Sequence, residues 1–184
     1  MKLHLAGCES HWPLVSELKP RFVLTTFFSF YKSKKNIPLP DCEHLILDSG
    51  AFSIQRGKTV EWNHYVDAYI DFIKANPKID QYVELDIDGV VGLKTVERFR
   101  EKLESETGRP PIPVWHTCIG HEGWKDLCNS YSYVGIGCIN AEHNLDEIYW
   151  NRYLTHAHEN NVKVHGFGLS ANKKLHKYDF DSAD

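Results

Sequence analysis

The chain has no run of about 18 apolar residues, which excludes a transmembrane helix. It has no basic stretch followed by a long apolar one near its start, so no secretory leader is expected. Cys-x-x-Cys pairs are missing as well. The five cysteines, Cys8, Cys42, Cys118, Cys128 and Cys138, are scattered and odd in number, which argues against a zinc ribbon or a disulfide framework and for free thiols in a reducing compartment. No His-x-x-x-His pair is present, and the one His-x-His, His156-Ala157-His158, falls in an expected helix, where residues two apart do not face each other and so do not anchor a metal together. There is no internal repeat and no low-complexity segment. Excess positive charge is absent too: the net charge is −4, unlike that of a protein that coats nucleic acid indiscriminately.

What remains is ordinary globular composition, 42% hydrophobic and 25% charged, in 184 residues. That length predicts a single domain, 1–184, with a substantial core. Strand-like and helix-like stretches alternate along it. Strands are expected at 2–8, 22–30, 44–48, 81–88, 112–117, 133–139 and 162–169, with an eighth at 178–184. Helices are expected up to residue 17 and at 60–75, 93–107, 121–130, 145–160 and 171–177. Such alternation implies right-handed βαβ crossovers and a parallel sheet. Seven units plus an eighth strand predict a (β/α)8 TIM-type barrel, short or incomplete at its C-terminal end, since the fold typically needs about 250 residues. A doubly wound open sheet is the structural alternative.

Polar residues fall where a parallel strand ends, the side on which α/β proteins bind ligands. Strand three ends on Asp48 and runs into Ser49-Gly50-Ala51-Phe52-Ser53, a small-residue turn that a ligand can approach closely. A plainer reading makes Asp48 the cap of that turn. Strand four carries Glu84, Asp86 and Asp88, which a period of two places on one face, expected to point inwards. Inward carboxylates are costly unless partnered, and an ion pair is the plain reading of Glu84. Asp88, before Gly89, reads equally well as a turn residue. His116 ends strand five, Gly135 and Gly137 lie in strand six, and His165 and Gly166 in strand seven. Glycines there remove side chains, as if something flat lies against the backbone, although close helix packing explains them too. Lys32, Lys34 and Lys35 follow strand two, and Lys173 and Lys174 follow strand seven, placed where a phosphate backbone would need them. Phe27, Phe28, Phe30, Tyr31 and Phe52 are candidates for stacking a base.

The stretches Leu47-Asp48-Ser49-Gly50-Ala51-Phe52-Ser53, Val83-Glu84-Leu85-Asp86-Ile87-Asp88, Pro113-Val114-Trp115-His116, Tyr133-Val134-Gly135-Ile136-Gly137 and His165-Gly166-Phe167-Gly168-Leu169-Ser170 together resemble the guanine transglycosylase superfamily. The likeness is greatest to its short phage and bacterial members, which insert 7-deazaguanines into DNA. The resemblance implies a base exchange in which Asp48 is the acid/base and Asp86 reads the purine edge. It makes the Gly135 and Gly137 backbone touch the base, and Asp184, in Phe180-Asp181-Ser182-Ala183-Asp184, the nucleophile. Ser49, Gly50, Phe52, Asp88, His116, His165 and Gly166 complete the expected substrate-binding set. His116 stands where the tRNA enzymes carry Gln. Their zinc motif, Cys-x-Cys-x-x-Cys plus a His, is absent, so no cofactor and no metal are expected. The implied partners are a nucleic acid, DNA ahead of tRNA, and a free 7-deazaguanine. No membrane is involved, homodimerisation is an option, and the setting is the cytoplasm, of the host if the gene is phage-borne. Two other readings stay open. One is a metal-dependent hydrolase using Asp48, Asp86, His116 and His165, and the other is a non-catalytic nucleobase-binding remnant.

Overall fold

A computed structural model describes residues 1–33, 37–51, 54, 60–137, 147–169 and 175–184. Strand and helix alternate, and every strand pair is parallel. The fold is α/β. The residues gather into two compact units, Leu5–Pro111 on one side of the division and Met1–His4 with Ile112–Asp184 on the other.

The unit Leu5–Pro111 holds β2 (Phe22–Thr26), β3 (His44–Asp48) and β4 (Gln81–Tyr82), in the order β2-β3-β4. Thr26 stands opposite Asp48 and Leu47 opposite Tyr82. Leu5 adds an isolated parallel bridge to Val23. Val23, Leu45, Ile46 and Leu47 are almost wholly buried, the continuous apolar run of strands covered on both faces. The helices are α1 (Trp12–Leu18), α2 (Phe27–Lys32), α3 (Trp62–Ala75), α4 (Asp88–Val91) and α5 (Leu93–Thr107). In α3, Tyr65, Val66, Tyr69, Ile70 and Ile73 form the buried stripe, and Glu61 caps the start by accepting the Asn63 and His64 amides. In α5, Val96, Phe99 and Leu103 face the core, and Gly108 ends the helix in the left-handed region at φ +72°.

The second unit orders its strands β1-β8-β7-β6-β5: β1 (Lys2–Leu3), β5 (Val114–Trp115), β6 (Tyr133–Ile136), β7 (Lys163–Gly166) and β8 (Ser182–Ala183). The first strand of the chain thus pairs with the last. Helices α6 (Gly120–Ser130) and α7 (Glu147–Glu159) cover a core that includes Trp115, Trp124, Tyr153 and Phe180. Among the described residues, no helix is long and apolar enough to cross a membrane.

Several expected strands stop early, the first at Leu3 and the fifth at Trp115 among them, and at two of them a helix takes over. The second was expected to reach Phe30 but ends at Thr26, where α2 begins. Phe27 and Phe28 are core residues, and the Phe27 ring lies 5.2 Å from Tyr65, 5.0 Å from Tyr69 and 5.4 Å from Phe72. Aromatic β-propensity yields here to packing on α3, so these two rings are not on offer to a base.

The fourth was expected to run to Asp88. It ends at Tyr82, and Ile87 at φ −119°, ψ 25° leaves the extended region to open α4 at Asp88. Glu84 does not point inwards either. Like Tyr82, whose hydroxyl meets Thr107 Oγ1 at 2.7 Å, it faces α5, where Arg100 Nε donates to Glu84 Oε2 at 2.6 Å. A buried carboxylate without that guanidinium would be too costly, and α5 supplies it.

Candidate functional site

In the first unit the site grows from the end of β3. Asp48 is the last strand residue, and its Oδ2 accepts the Gly50 amide at 2.9 Å, closing an Asx turn. Ser49 is fully buried. Tyr65 donates its hydroxyl to the Ser49 carbonyl at 2.6 Å, and the Tyr69 hydroxyl lies 2.9 Å from both the Leu47 and the Val83 carbonyls. Two tyrosines one helical turn apart on α3 therefore pin the ends of β3 and of the strand beside it. Burial, reinforced by the Asp48 charge, pushes both phenols up, which keeps them hydrogen-bond donors.

Gly50 has φ +79°, and a Cβ there would sit 2.4 Å from Phe28 Cβ and 2.5 Å from Thr26 Oγ1. Only glycine lets the turn pass this close to the start of α2. Gly50→Ala is expected to cost ~2 kcal/mol or more in urea unfolding, from backbone strain and overlap together. Wild-type stability in that variant would contradict the packing described.

Asp86 lies within electrostatic reach of Asp48. It is half-buried. Burial first, then the charges of Asp48, Glu84 and Asp88, push its carboxyl well above the usual carboxylate range. Asp88, half-buried at the first position of α4, adds the smallest of these repulsions. The unit thus brings Asp48 and Asp86 together as two carboxyls that resist carrying two charges at once.

In the second unit the sequence-predicted residues also meet one another. His165 is fully buried at the end of β7. Its Nδ1 lies 2.6 Å from Ser182 Oγ and its Nε2 3.2 Å from Asp184 Oδ1, which also accepts the Gly168 amide at 3.0 Å. Gly166 pairs in register with Ala183. The flat groups lying against the β6 glycines belong to this unit itself. A Cβ on Gly135 would come within 2.2 Å of the Phe167 ring, and one on Gly137 within 2.4 Å of the His116 imidazole. His116, at the end of β5, is buried under that contact.

Lys32 is exposed at the end of α2, with its ammonium 5.7 Å from the Phe28 ring centre and 5.6 Å from that of Tyr31. Lys34, Lys35, Phe52, Lys173 and Lys174 lie outside the described residues. Among the described residues, no group of three or more His, Cys, Asp or Glu is placed to hold a metal ion.

Sequence reasoning missed four contributors. Tyr65 and Tyr69 sit on the apolar face of α3 and read as core, although their hydroxyls reach strand-end carbonyls. Ser182 and Tyr133 complete the contacts of His165. Ser182 was legible, because two residues before Asp184 on a strand means the same face. Comparisons of the chain with family models, curated proteins and solved structures return no match.

Proposed function

We propose that the protein is a guanine transglycosylase-like enzyme that replaces a guanine base in a nucleic acid, DNA ahead of tRNA, by a 7-deazaguanine. The observation that carries this reading is the Asp48–Asp86 pair at the end of β3, with the Asp86 proton held well above the usual carboxylate range. Two carboxyls whose charges oppose each other divide the roles of acid and base between them. Asp86 accepts hydrogen bonds from the purine's N–H groups, and buried groups of this type discriminate well.

In the exchange, an Asp184 carboxylate oxygen attacks C1′ of the guanine nucleotide. The bond to C1′ forms as the C1′–N9 bond breaks, and the electron pair leaves with the base. Asp48 delivers the proton held by the pair to the departing guanine. The covalent sugar–enzyme ester is then attacked by the 7-deazaguanine, whose proton Asp48 takes, and Asp184 is released. Extracting the nucleotide from its stack costs a few kcal/mol, so single-stranded substrate is favoured. Lys32 is proposed to meet backbone phosphate, and Lys34, Lys35, Lys173 and Lys174 are proposed to join it. No metal takes part, and the enzyme works in the cytoplasm.

The finer architecture proposed is a (β/α)8 barrel. Its support is that sequence neighbours lie side by side in parallel within each sheet, that β1 pairs with β8, and that Leu5, two residues beyond β1, bridges to β2.

Labelled guanine and 7-deazaguanine are to be offered with single-stranded DNA and with tRNA, and their incorporation measured. Wild-type protein is expected to incorporate label. Asp48→Ala and Asp184→Ala are each expected to lose about 100-fold or more. Base binding without any incorporation by wild type would leave a non-catalytic module instead.

A further inference from the structure

Asp184 is one end of a hydrogen-bonded chain that starts at the half-buried Tyr133 and passes through the core. The Tyr133 hydroxyl on β6 meets Ser182 Oγ, Ser182 meets His165 Nδ1, and His165 Nε2 meets Asp184 Oδ1. Its middle is buried, with Ser182 2% and His165 0% exposed, and the Asp184 side chain at its end is 16% exposed. The imidazole is walled in by Phe167 at 4.3 Å and His4 at 5.7 Å between ring centres. Phe167 reaches it only because Gly135 has no side chain.

One assignment of protons satisfies every member. Asp184 Oδ1 already accepts the Gly168 amide, so it faces Nε2 as an acceptor and Nε2 carries the proton. Nδ1 is then the acceptor for the Ser182 hydroxyl, which in turn accepts from Tyr133. Burial pushes the Tyr133 phenol up to about 12, which keeps it a donor.

Serine, histidine and aspartate in line also describe the serine-nucleophile triad. Here that chemistry is closed off. Ser182 is buried, and its oxygen is occupied by Tyr133 and His165. The member at the surface is the carboxylate. Asp184 Oδ1 is held twice, whereas Oδ2 makes no hydrogen bond among the described residues.

We infer that His165 is a positioning residue for Asp184: Tyr133 and Ser182 fix its tautomer, and its Nε2–H anchors Oδ1 so that Oδ2 is the oxygen presented for attack. The inference rests on the reading of Asp184 as the nucleophile of the exchange. Half of the carboxylate's bonding capacity is spent on orientation, and the remaining oxygen points along one direction, which is what in-line attack requires.

The test combines nitrogen-15 NMR of histidine-labelled protein with exchange kinetics. In wild type, His165 is expected to show a pyrrole-type Nε2 and a pyridine-type Nδ1, and Ser182→Ala is expected to erase that preference. In exchange, Ser182→Ala and His165→Ala are expected to lower kcat, the latter about 100-fold, with KM within about twofold. His165→Gln, whose amide nitrogen reaches toward the same oxygen, is expected to recover part of that loss. Amide spectra report whether each variant is folded, and if His165→Ala is not, Ser182→Ala and His165→Gln decide. A proton on Nδ1 in wild type, a tautomer indifferent to Ser182→Ala, or a rise in KM alone would overturn the inference. If wild type exchanges no base, the proposed function fails and the nucleophilic role with it. The tautomer measurement still decides separately whether His165 anchors Asp184.

Discussion

Replacing Asp86 by asparagine is expected to make the protein harder to unfold at neutral pH while abolishing base exchange. The native Asp86 carboxyl holds its proton well above the usual carboxylate range, and in the unfolded chain it does not. Between those two values the native state binds a proton that the unfolded state has released. Stability therefore falls as pH rises through that window and levels off above the native value. Each unit of difference corresponds to about 1.4 kcal/mol. Asparagine cannot ionise, so it escapes the penalty. Urea unfolding from about pH 4 to about pH 8 should show wild type and Asp86→Asn converging at the acid end and separating upwards, with the variant the more stable. A constant difference across that range would contradict the account. A carboxyl kept at the expense of stability is the pattern of a functional site.

The second large effect concerns the carboxylate behind that pair. Glu84 is 1% exposed and its partner Arg100 has an 11% exposed side chain. Arg100→Ala leaves a buried charge uncompensated and is expected to cost ~3–5 kcal/mol in urea unfolding. Replacing both partners with apolar residues of similar volume, Glu84→Leu with Arg100→Met, is expected to return most of that loss, because the desolvation cost disappears along with the attraction. Glu84 also repels Asp86, so Arg100→Ala should raise the Asp86 carboxyl further. A cost below about 1 kcal/mol would mean that Arg100 is no more than a surface partner.

Much of the architecture was legible because periodicity is a physical consequence of burial. The strand at His44–Asp48 and the helix at Leu93–Thr107 stand where the apolar runs and the Gly108 stop place them. Where reading failed, tertiary packing overrode local preference. Phe27 and Phe28 look like strand residues, but both are core residues, and the chain turns helical where α3 offers Phe27 the rings of Tyr65, Tyr69 and Phe72. Alternation suggested that Glu84 shares a face with Asp86, yet Arg100 lies sixteen residues away in sequence, and no local pattern announces it. The Asp48 turn was visible as a motif. Its clamping by Tyr65 and Tyr69 was hidden, because a tyrosine on an apolar helix face looks the same whether or not its hydroxyl is used. The β6 glycines were visible as gaps, and the structure fills them with Phe167 and His116.

The claim on which the account depends is that a carboxylate of this chain becomes covalently joined to a sugar when guanine departs. Denaturing mass spectrometry of wild-type protein mixed with a guanine-containing single-stranded oligonucleotide, with no incoming base supplied, tests it most directly. The account predicts a protein–oligonucleotide adduct that maps to Asp184, is absent in Asp184→Ala, and disappears when 7-deazaguanine is added. No adduct, or one that persists in Asp184→Ala, would contradict it.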